Sequence, residues 1–292
     1  MDLNSLVFPA PTSSYDGLTF PGELIWVPGP SSRSIPCIYL QHLLGSSKVA
    51  IYYHGNAEDI GLAYELCSHL RHHLKTHVLI VEYPGYGMYP GRPSAETICE
   101  DADAIMTYLC HNMQWRGSNV LVLGRSIGSG PACYLASKYS IGALVLISAY
   151  TSLRSVVKHL VGSVAQYFVS QRFNNLQLME SIHCPTFFLH GLKDTLIPVS
   201  ESQRLHARCK GVSIIHLQAE MDHNEFEYVE DLIFPLSEFL RKCEVAVEPV
   251  LGERSFFIFQ EEMFDLPEGI QCFPGQAQRR GGRQKRKART SQ

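Results

Sequence analysis

The chain has 292 residues, of which 45% are hydrophobic and 18% are charged. This composition excludes a disordered protein and suits one large globular domain or two small ones. No run approaches the roughly 18 apolar residues of a membrane-spanning helix, so we expect no membrane span. The net charge of −3 conceals an acidic body and a basic C-terminus, because residues 279–292 hold seven Lys or Arg and no acid.

The N-terminus and the cysteines both indicate the cytoplasm. Asp2, the lack of a basic flank and Pro9 are unlike a secretory signal. The nine cysteines include no C-x-x-C pair, and most lie in apolar stretches. This usage predicts free thiols in a reducing compartment.

Short β-branched runs alternate with helical periodicity from about residue 20 to residue 243. This alternation predicts an α/β fold, with a mostly parallel eight-stranded sheet and helices on both faces. Four of the strands are nearly continuous apolar runs, as expected for strands buried on both faces. The predicted strands are Glu23–Val27, Ile35–Leu40, Lys48–Tyr53, His77–Glu82, Asn119–Leu123, Ala143–Ser148, Thr186–Leu189 and Ser213–Leu217.

The intervening segments show the apolar spacing of helices. The last predicted helix contains Pro235, which should kink or split it. About 37 residues separate the sixth and seventh strands, which leaves room for two short helices but no large cap domain. Predicted helices span Asp59–Lys75, a segment capped by Ser94, a segment directly after Ser126, Ser200–Cys209, and about Asn224 to Lys242.

We therefore predict three regions along the chain. Residues 1–243 form the α/β domain, and residues 244–278 form a weakly patterned extension. Residues 279–292 form a basic tail that we expect to be disordered.

The segment that points to chemistry is Gly124-Arg125-Ser126-Ile127-Gly128, a G-x-S-x-G pattern between a buried strand and a helix. A turn this sharp brings the positions two before and two after the serine close together, so both must lack a Cβ atom. We expect the Ser126 hydroxyl to stand above the C-terminal end of the sheet as a nucleophile. The backbone N–H of Ile127 should then point at the reacting centre.

A nucleophilic serine needs a base and an orienting acid, which follow it in the chain order Ser, Asp or Glu, His in α/β-hydrolases. Asp194 comes directly after the predicted strand that ends at Leu189, and His223 comes shortly before the last helix. Asp222 is the competing acid, but it adjoins His223 in sequence and is poorly placed to bond that ring. We therefore assign Asp194 as the acid and His223 as the base.

The other histidines downstream of the serine fit the role of base less well. His216 lies within a strand and His206 within a helix, so neither can reach over the edge of the sheet. His190 precedes Asp194 and fits better as a residue that shapes its loop. These placements leave His223 as the candidate base.

The second oxyanion donor should come from the loop after an earlier strand, here His54-Gly55-Asn56. Asn56 is the candidate backbone donor, and Ala57 is the alternative. No C-x-x-C or H-E-x-x-H pattern suggests a metal, and we expect no cofactor.

With these residues placed, the chain resembles the α/β-hydrolase-domain-containing protein 17 family over about residues 48–240. The likeness rests on YYHGNAEDIG, EYPGYGMYPGRPS, LGRSIGSGPA and LHGLKDTLIP. It implies the α/β-hydrolase fold and a thioesterase that removes palmitate from cysteines of membrane-associated proteins. Ser126, Asp194 and His223 match the family's triad, and the HGN turn matches its oxyanion hole. Tyr86 in YPGYG either lines the entrance or packs internally.

Three departures from the family pattern stand out. Arg125 precedes the serine where Gln or His is more usual, and it can pair with an acid or contact an anionic substrate. The histidine loop reads AEMDHNEF where the family has glycines, which leaves its turn geometry open. The family's N-terminal cysteine cluster is absent, so its mode of membrane attachment does not carry over.

The basic tail has three interpretations. Its seven cations would each contribute about 1 kcal/mol beside an anionic leaflet, which would give peripheral membrane contact. The run Lys285–Arg289 is also typical of a nuclear import signal or a nucleic-acid contact, and a solvated tail is the third interpretation. We expect no nucleic-acid partner, and the oligomeric state stays open.

Three functions compete. The first is a serine hydrolase that depalmitoylates S-acylated proteins through an acyl-enzyme. The second is a carboxylesterase or monoacylglycerol lipase, with the same mechanism and another leaving group. The third is an inactive hydrolase scaffold that binds lipid or a partner.

Overall fold

A computed structural model of the chain describes residues 7–161, 173–245 and 259–270. Its centre is an eight-stranded sheet, and the predicted mostly parallel sheet is thereby confirmed. The strands, in chain order, are β1 Leu24–Pro28, β2 Ser34–Leu40, β3 Val49–Tyr53, β4 His77–Val81, β5 Val120–Arg125, β6 Ala143–Ile147, β7 Thr186–Gly191 and β8 Ser213–Gln218.

The strand order across the sheet is β1-β2-β4-β3-β5-β6-β7-β8. β2 pairs antiparallel with both β1 and β4, and every other pairing is parallel. β5 lies between β3 and β6, with Gly124 opposite Tyr53 on one side and Leu146 on the other. The carboxyl ends of β3, β5, β7 and β8 therefore meet at one edge, where an α/β sheet presents its functional loops.

Helices cover both faces of the sheet, as predicted, and each face has its own apolar core. The core on one face includes Ile98, Ile105 and Leu135, and the core on the other includes Leu70 and Leu236. The α-helices are α1 Tyr64–Leu74, α2 Ala95–Thr107, α3 Ser129–Lys138, α4 Leu153–Val161, α5 Asn175–Leu178, α6 Val199–Arg208 and α7 Phe234–Lys242.

The described residues between β6 and β7 include two short helices, α4 and α5, as predicted. Its described residues include no cap domain. Residues 162–172 of this segment lie outside the described part of the chain.

Two helix starts depend on side-chain hydrogen bonds. Ser94 caps α2 as predicted, because its hydroxyl accepts from the N–H of Thr97 and the Thr97 side chain accepts in return. The predicted start of α1 at Asp59 is wrong, since α1 begins at Tyr64. Asp59 instead accepts hydrogen bonds from the N–H groups of Ser14 and Leu62, which holds the chain in a turn before the helix.

The last predicted helix begins later than Asn224. Residues 219–227 form a loop, and a wide π-type turn spans Tyr228–Ile233 before α7 starts at Phe234. Pro235, predicted to kink or split this helix, lies in the first turn of α7, where the chain changes from the π-type turn to α-helix while Ile233 and Phe234 keep helical dihedrals. Proline is tolerated there, since the first N–H groups of a helix have no partner within the helix.

Part of the extension beyond residue 243 packs on the domain. A 3-10 turn spans Glu261–Phe264, and Phe259 and Met263 are buried. The ring of Phe259 lies 4.8 Å from that of Tyr39, centroid to centroid, and the Tyr108 hydroxyl contacts the Met263 sulfur. The basic tail, for which we predicted disorder, lies outside the described residues.

In the part of the chain that the structure describes, no helix combines the length and apolar character that a bilayer crossing requires.

Candidate active site

Ser126 follows β5 directly and begins the turn into α3. It adopts a φ of +51°, so the turn strains the backbone at this residue, as the sequence predicted. A Cβ atom on Gly124 would lie 2.3 Å from the carbonyl oxygen of Gly128. A Cβ atom on Gly128 would lie 2.1 Å from the carbonyl oxygen of Tyr53, at the end of the neighbouring strand β3. Both glycines are therefore needed, the second because β3 passes so close.

The structure brings together the three side chains that the sequence singled out. His223 Nε2 lies 3.0 Å from Ser126 Oγ, and His223 Nδ1 lies 2.7 Å from Asp194 Oδ2. All three residues are less than 10% exposed. The arrangement is that of a nucleophile in contact with a base, and of a base oriented by a carboxylate.

The loop that carries His223 (the histidine loop, residues 219–227) turns without a glycine. Asp222 Oδ1 accepts hydrogen bonds from the N–H groups of Asn224 and Glu225, both at 2.7 Å. These bonds lower the pKa of Asp222 and close the turn of this loop. The imidazole Nδ1 is bonded to Asp194, so Asp222 is not the orienting acid.

The loop after β7 holds Asp194 from several sides. Its Oδ1 accepts from the N–H groups of Leu196 and Ile197 at 2.9 and 2.8 Å. Burial alone would raise the pKa of Asp194, but hydrogen bonds from His190, His223 and the backbone hold it well below its usual range. The carboxylate is therefore ionised at neutral pH and can stabilise a protonated His223.

His190 shapes this loop, as the sequence suggested. It is fully buried, with Nε2 at 2.9 Å from the Ile197 carbonyl and 3.4 Å from Asp194 Oδ2. Its Nδ1 contacts the Ser202 hydroxyl at 2.7 Å, which ties the loop to α6. The other two histidines lie within elements: His206 in α6 and His216 in β8.

The loop between β3 and α1 (the oxyanion loop, residues 54–59) approaches Ser126 from the opposite side. His54 is fully buried, and its two ring nitrogens lie 2.9 Å from Glu82 Oε1 and 2.9 Å from the Gly55 carbonyl oxygen. Burial alone would lower the pKa of His54, but the Glu82 carboxylate raises it. The Gly55 carbonyl shares its peptide group with the N–H of Asn56, so this bond sets the direction of that N–H.

The N–H of Ile127 is fixed in the same way. The Ser129 hydroxyl donates to the Ser126 carbonyl at 2.7 Å, and that carbonyl shares its peptide group with the Ile127 N–H. Asn56, Ala57 and Ile127 all line the cleft beside Ser126. The peptide group between Gly55 and Asn56 is the one that His54 holds in place. This favours Asn56 over Ala57 as the candidate donor.

Tyr86 does not line the entrance, so that alternative is wrong. It is fully buried and donates its hydroxyl to Asn56 Oδ1 at 2.8 Å. The Asn56 amide nitrogen donates to the carbonyl of Val7 at 2.7 Å. Tyr86 and the N-terminal segment thus hold the Asn56 side chain, which leaves its backbone to face the cleft.

Arg125 pairs with an acid, one of the two options that the sequence left open. Its Nη1 donates to Glu58 Oε2 at 3.0 Å. Its Nη2 donates to the His223 carbonyl and to Asn224 Oδ1, both at 3.2 Å. Both terminal nitrogens therefore bind protein groups, which argues against the other option, contact with an anionic substrate.

A cleft of about 420 Å³ opens beside Ser126. His223, Asn224 and Arg125 form a polar edge near the nucleophile, and most of the rest of the wall is apolar. Much of the apolar lining comes from three separate segments: Val7 and Pro9 near the N-terminus, Leu153, Val156 and Val157 on α4, and Leu196 and Ile197 beside Asp194.

The described residues include no group of three or more His, Cys, Asp or Glu side chains arranged to hold a metal ion. We see no set of residues in that part of the chain that suggests a cofactor site.

Two contributors to the site escaped sequence reasoning. The N-terminal wall of the cleft, Val7 and Pro9, carries no motif, and only the folded chain places it there. Glu58 was part of the quoted HGNAED run, but its pairing with Arg125 across 67 residues has no sequence signature. The one sequence feature that pointed to an acidic partner was Arg125 itself, an unusual cation beside the serine.

The site geometry agrees with the matching family model. The model described as "Serine hydrolase (FSH1)" matches residues 69–223, which is more than half of the chain. The chain belongs to the serine hydrolase (FSH1) family. The matched region contains Ser126 and Asp194 and ends at His223.

The curated relatives include proteins that carry the name that the motifs suggested. Human alpha/beta hydrolase domain-containing protein 17B is 27% identical over 176 residues, which cover 60% of this chain and 60% of that protein. Alpha/beta hydrolase domain-containing protein aho-3 of Caenorhabditis elegans is 27% identical over 175 residues, which cover 60% of this chain and 52% of the relative. The match thus spans little more than half the length of these relatives.

A solved structure shows the same fold. The esterase Pf2001 of Pyrococcus furiosus superposes with a TM-score of 0.64 at 20% sequence identity, covering 80% of this chain and 98% of the other. At this identity the likeness extends to the α/β-hydrolase fold alone.

Proposed function

We propose that the protein is a serine hydrolase that cleaves long-chain acyl thioesters of S-acylated proteins. The observation that carries this proposal is the bonded series Ser126–His223–Asp194 at the mouth of an apolar-walled cleft. The series supplies an activated nucleophile, and the cleft offers a place for an acyl chain.

In the first half-reaction, Ser126 Oγ attacks the acyl carbonyl carbon while His223 Nε2 takes the hydroxyl proton. Asp194 stabilises the resulting imidazolium through its bond to Nδ1. The N–H groups of Ile127 and Asn56 bind the oxyanion that forms on the carbonyl oxygen, and one such donor is worth about 3 kcal/mol.

Collapse of this intermediate expels the sulfur of the substrate cysteine, which leaves with the proton from His223. The acyl group is then bound to Ser126 as an ester. Water repeats the sequence, with His223 again acting as base, and releases the fatty acid and the free serine.

The acyl substrate class rests on the shape of the cleft and on the family resemblance. Val156 and Val157 of α4 line the cleft that His223 and Arg125 also border. An apolar wall favours binding of an acyl chain, because each methylene of the chain that is buried from water contributes about 0.8 kcal/mol. The resemblance to the protein 17 family supplies the leaving group, a protein cysteine.

The direct test compares a palmitoyl-cysteine peptide with monopalmitoylglycerol as substrates of the purified protein. Each enzymatic rate is divided by the rate at which the same substrate hydrolyses without enzyme. On this scale we expect the thioester to have the higher kcat/KM. A preference for the glycerol ester would replace this proposal with a lipase. Ser126→Ala provides the blank.

A variant of the cleft wall tests the place of the acyl chain. Val157→Trp should lower kcat/KM for a palmitoyl ester by about 10-fold or more, because pocket volume discriminates chains by about 1–3 kcal/mol. Turnover of an acetyl ester should persist. Lys158→Trp, on the exposed side of the same helix, is the control, and equal losses in both variants would argue against this wall.

A further inference from the structure

Arg125 occupies the gap between the two loops that meet above Ser126. It is the residue directly before the nucleophile, and its side chain is only 14% exposed. The backbone of Arg125 ends β5, so the base of its side chain is held by the sheet.

On one side the guanidinium reaches the oxyanion loop. Glu58 Oε2 accepts from Arg125 Nη1 at 3.0 Å and from the N–H of Gly55 at 2.7 Å. The same carboxylate oxygen thus connects Arg125 to the residue that precedes Asn56. Both side chains pack closely against Gly55, since a Cβ atom there would lie 2.9 Å from Glu58 Oε2 and 3.3 Å from Arg125 Nη1.

On the other side the guanidinium reaches the histidine loop. Nη2 donates to the backbone carbonyl of His223 and to Asn224 Oδ1. The histidine loop has no glycine, and the Asp222 turn and this contact both hold its backbone near the catalytic ring.

We propose that Arg125 is a positioning residue that joins the oxyanion loop to the histidine loop and so keeps the oxyanion donors and the imidazole in register around Ser126. Its guanidinium bonds Glu58, Asn224 and the His223 carbonyl, so it acts on the site through the two loops that carry these groups. This inference rests on the proposed acyl transfer at Ser126 but not on the choice between thioester and ester.

The chemistry of arginine suits this role better than that of other residues. Its planar fork directs two terminal nitrogens to separate acceptors, and its charge persists at every working pH. Lysine presents its three donors from a single nitrogen and lacks the planar fork that directs two nitrogens to separate acceptors. Glutamine, which with histidine is more usual here in the resembling family, has no charge to offer Glu58.

The test uses Arg125→Met, which keeps most of the side-chain bulk but removes every donor, and Arg125→Lys, which keeps the charge. Arg33→Met is the matched control. Arg33 forms a similar ion pair at 2.8 Å with buried Asp101, and it directly precedes β2, which β4 and β3 separate from β5. Steady-state kinetics use a series of p-nitrophenyl esters. The rate at which a fluorophosphonate labels Ser126 is the second measurement.

We expect Arg125→Met to lower kcat by about 10- to 100-fold while KM changes less than about 3-fold, because a displacement near 1 Å at a catalytic group can cost about 100-fold. Arg125→Lys should recover part of this loss. The Ki of a trifluoromethyl ketone, which mimics the tetrahedral intermediate, should rise in proportion to the fall in kcat/KM. Arg33→Met should lower Tm without changing kcat.

Glu58→Gln gives a second route if Arg125→Met folds poorly. It should lower kcat as well, and the double variant should be no slower than Arg125→Met, because both changes break one connection. A kcat for Arg125→Met within 2-fold of wild type would overturn the proposal. So would parallel losses of kcat in Arg125→Met and Arg33→Met, or additive losses in the double variant.

Discussion

Ser126 combines a reactive position with an unfavourable backbone. Its φ of +51° costs a residue with a Cβ atom about 1 kcal/mol relative to glycine. We predict that Ser126→Gly is more stable than Ser126→Ala by about 1 kcal/mol, although both lack the hydroxyl and both are inactive. Urea unfolding of the two variants measures the difference. Equal stabilities would mean that the turn is unstrained in solution.

Asp194 should make stability depend on pH on the acid side. Burial opposes ionisation, but the bonds from His190, His223 and the backbone hold its native pKa below the usual value of about 4. The unfolded chain therefore binds the proton more tightly, and unfolding free energy falls as pH drops from about 4 toward the native pKa.

Asp194→Asn removes this titration. The variant should be less stable than wild type near pH 6, and the gap should narrow as the pH falls toward 3. Denaturant unfolding at a series of pH values provides the measurement. A gap that stays constant with pH would contradict the depressed pKa.

The sequence could identify a site residue when a short local pattern marks it, but not when its role depends on a contact with a distant residue. Ser126, Asp194 and His223 each follow a predicted strand in a set chain order, so short patterns located them. The partner of Arg125 could not be found this way, because Glu58 lies 67 positions earlier and only the folded loops bring the two together.

At the scale of elements, the segment 259–270 belongs to the folded domain. Phe259 is 8% exposed and packs on Tyr39, whereas Phe264, in the following turn, is 40% exposed. We predict that Phe259→Ala lowers the free energy of unfolding by about 3 kcal/mol, the range for removing a buried aromatic ring. Phe264→Ala is the control and should cost less than half as much. If both variants lost only a similar small amount of unfolding free energy, this segment would not unfold together with the rest of the domain.

Helix boundaries were the least predictable part of the elements. The apolar spacing located α1 and α7, but it could not show that Asp59 and Asp222 use their carboxylates to hold turns. Such bonds compete locally with helix formation, so the helices begin at Tyr64 and, after the wide turn, at Phe234. An aspartate can either begin a helix or hold a turn before it, and the sequence alone does not distinguish the two.

At the scale of the whole molecule, the parallel sheet explains why distant residues meet. β5, β7 and β8 end at the same edge, so the loops that carry Ser126, Asp194 and His223 converge although they lie far apart in the chain. The buried apolar runs predicted this sheet well. The N-terminal segment carried no comparable pattern, so its contribution to the cleft was not predicted.

The central claim is that Ser126 is a nucleophile activated by His223, and covalent labelling with a fluorophosphonate tests it most directly. Mass spectrometry of the digested wild-type protein should locate one adduct, on Ser126, while His223→Ala should label at least about 100-fold more slowly. Ser126→Ala should not label at all. A folded wild-type protein that stays unlabelled, or one whose adduct lies on another residue, would contradict the account.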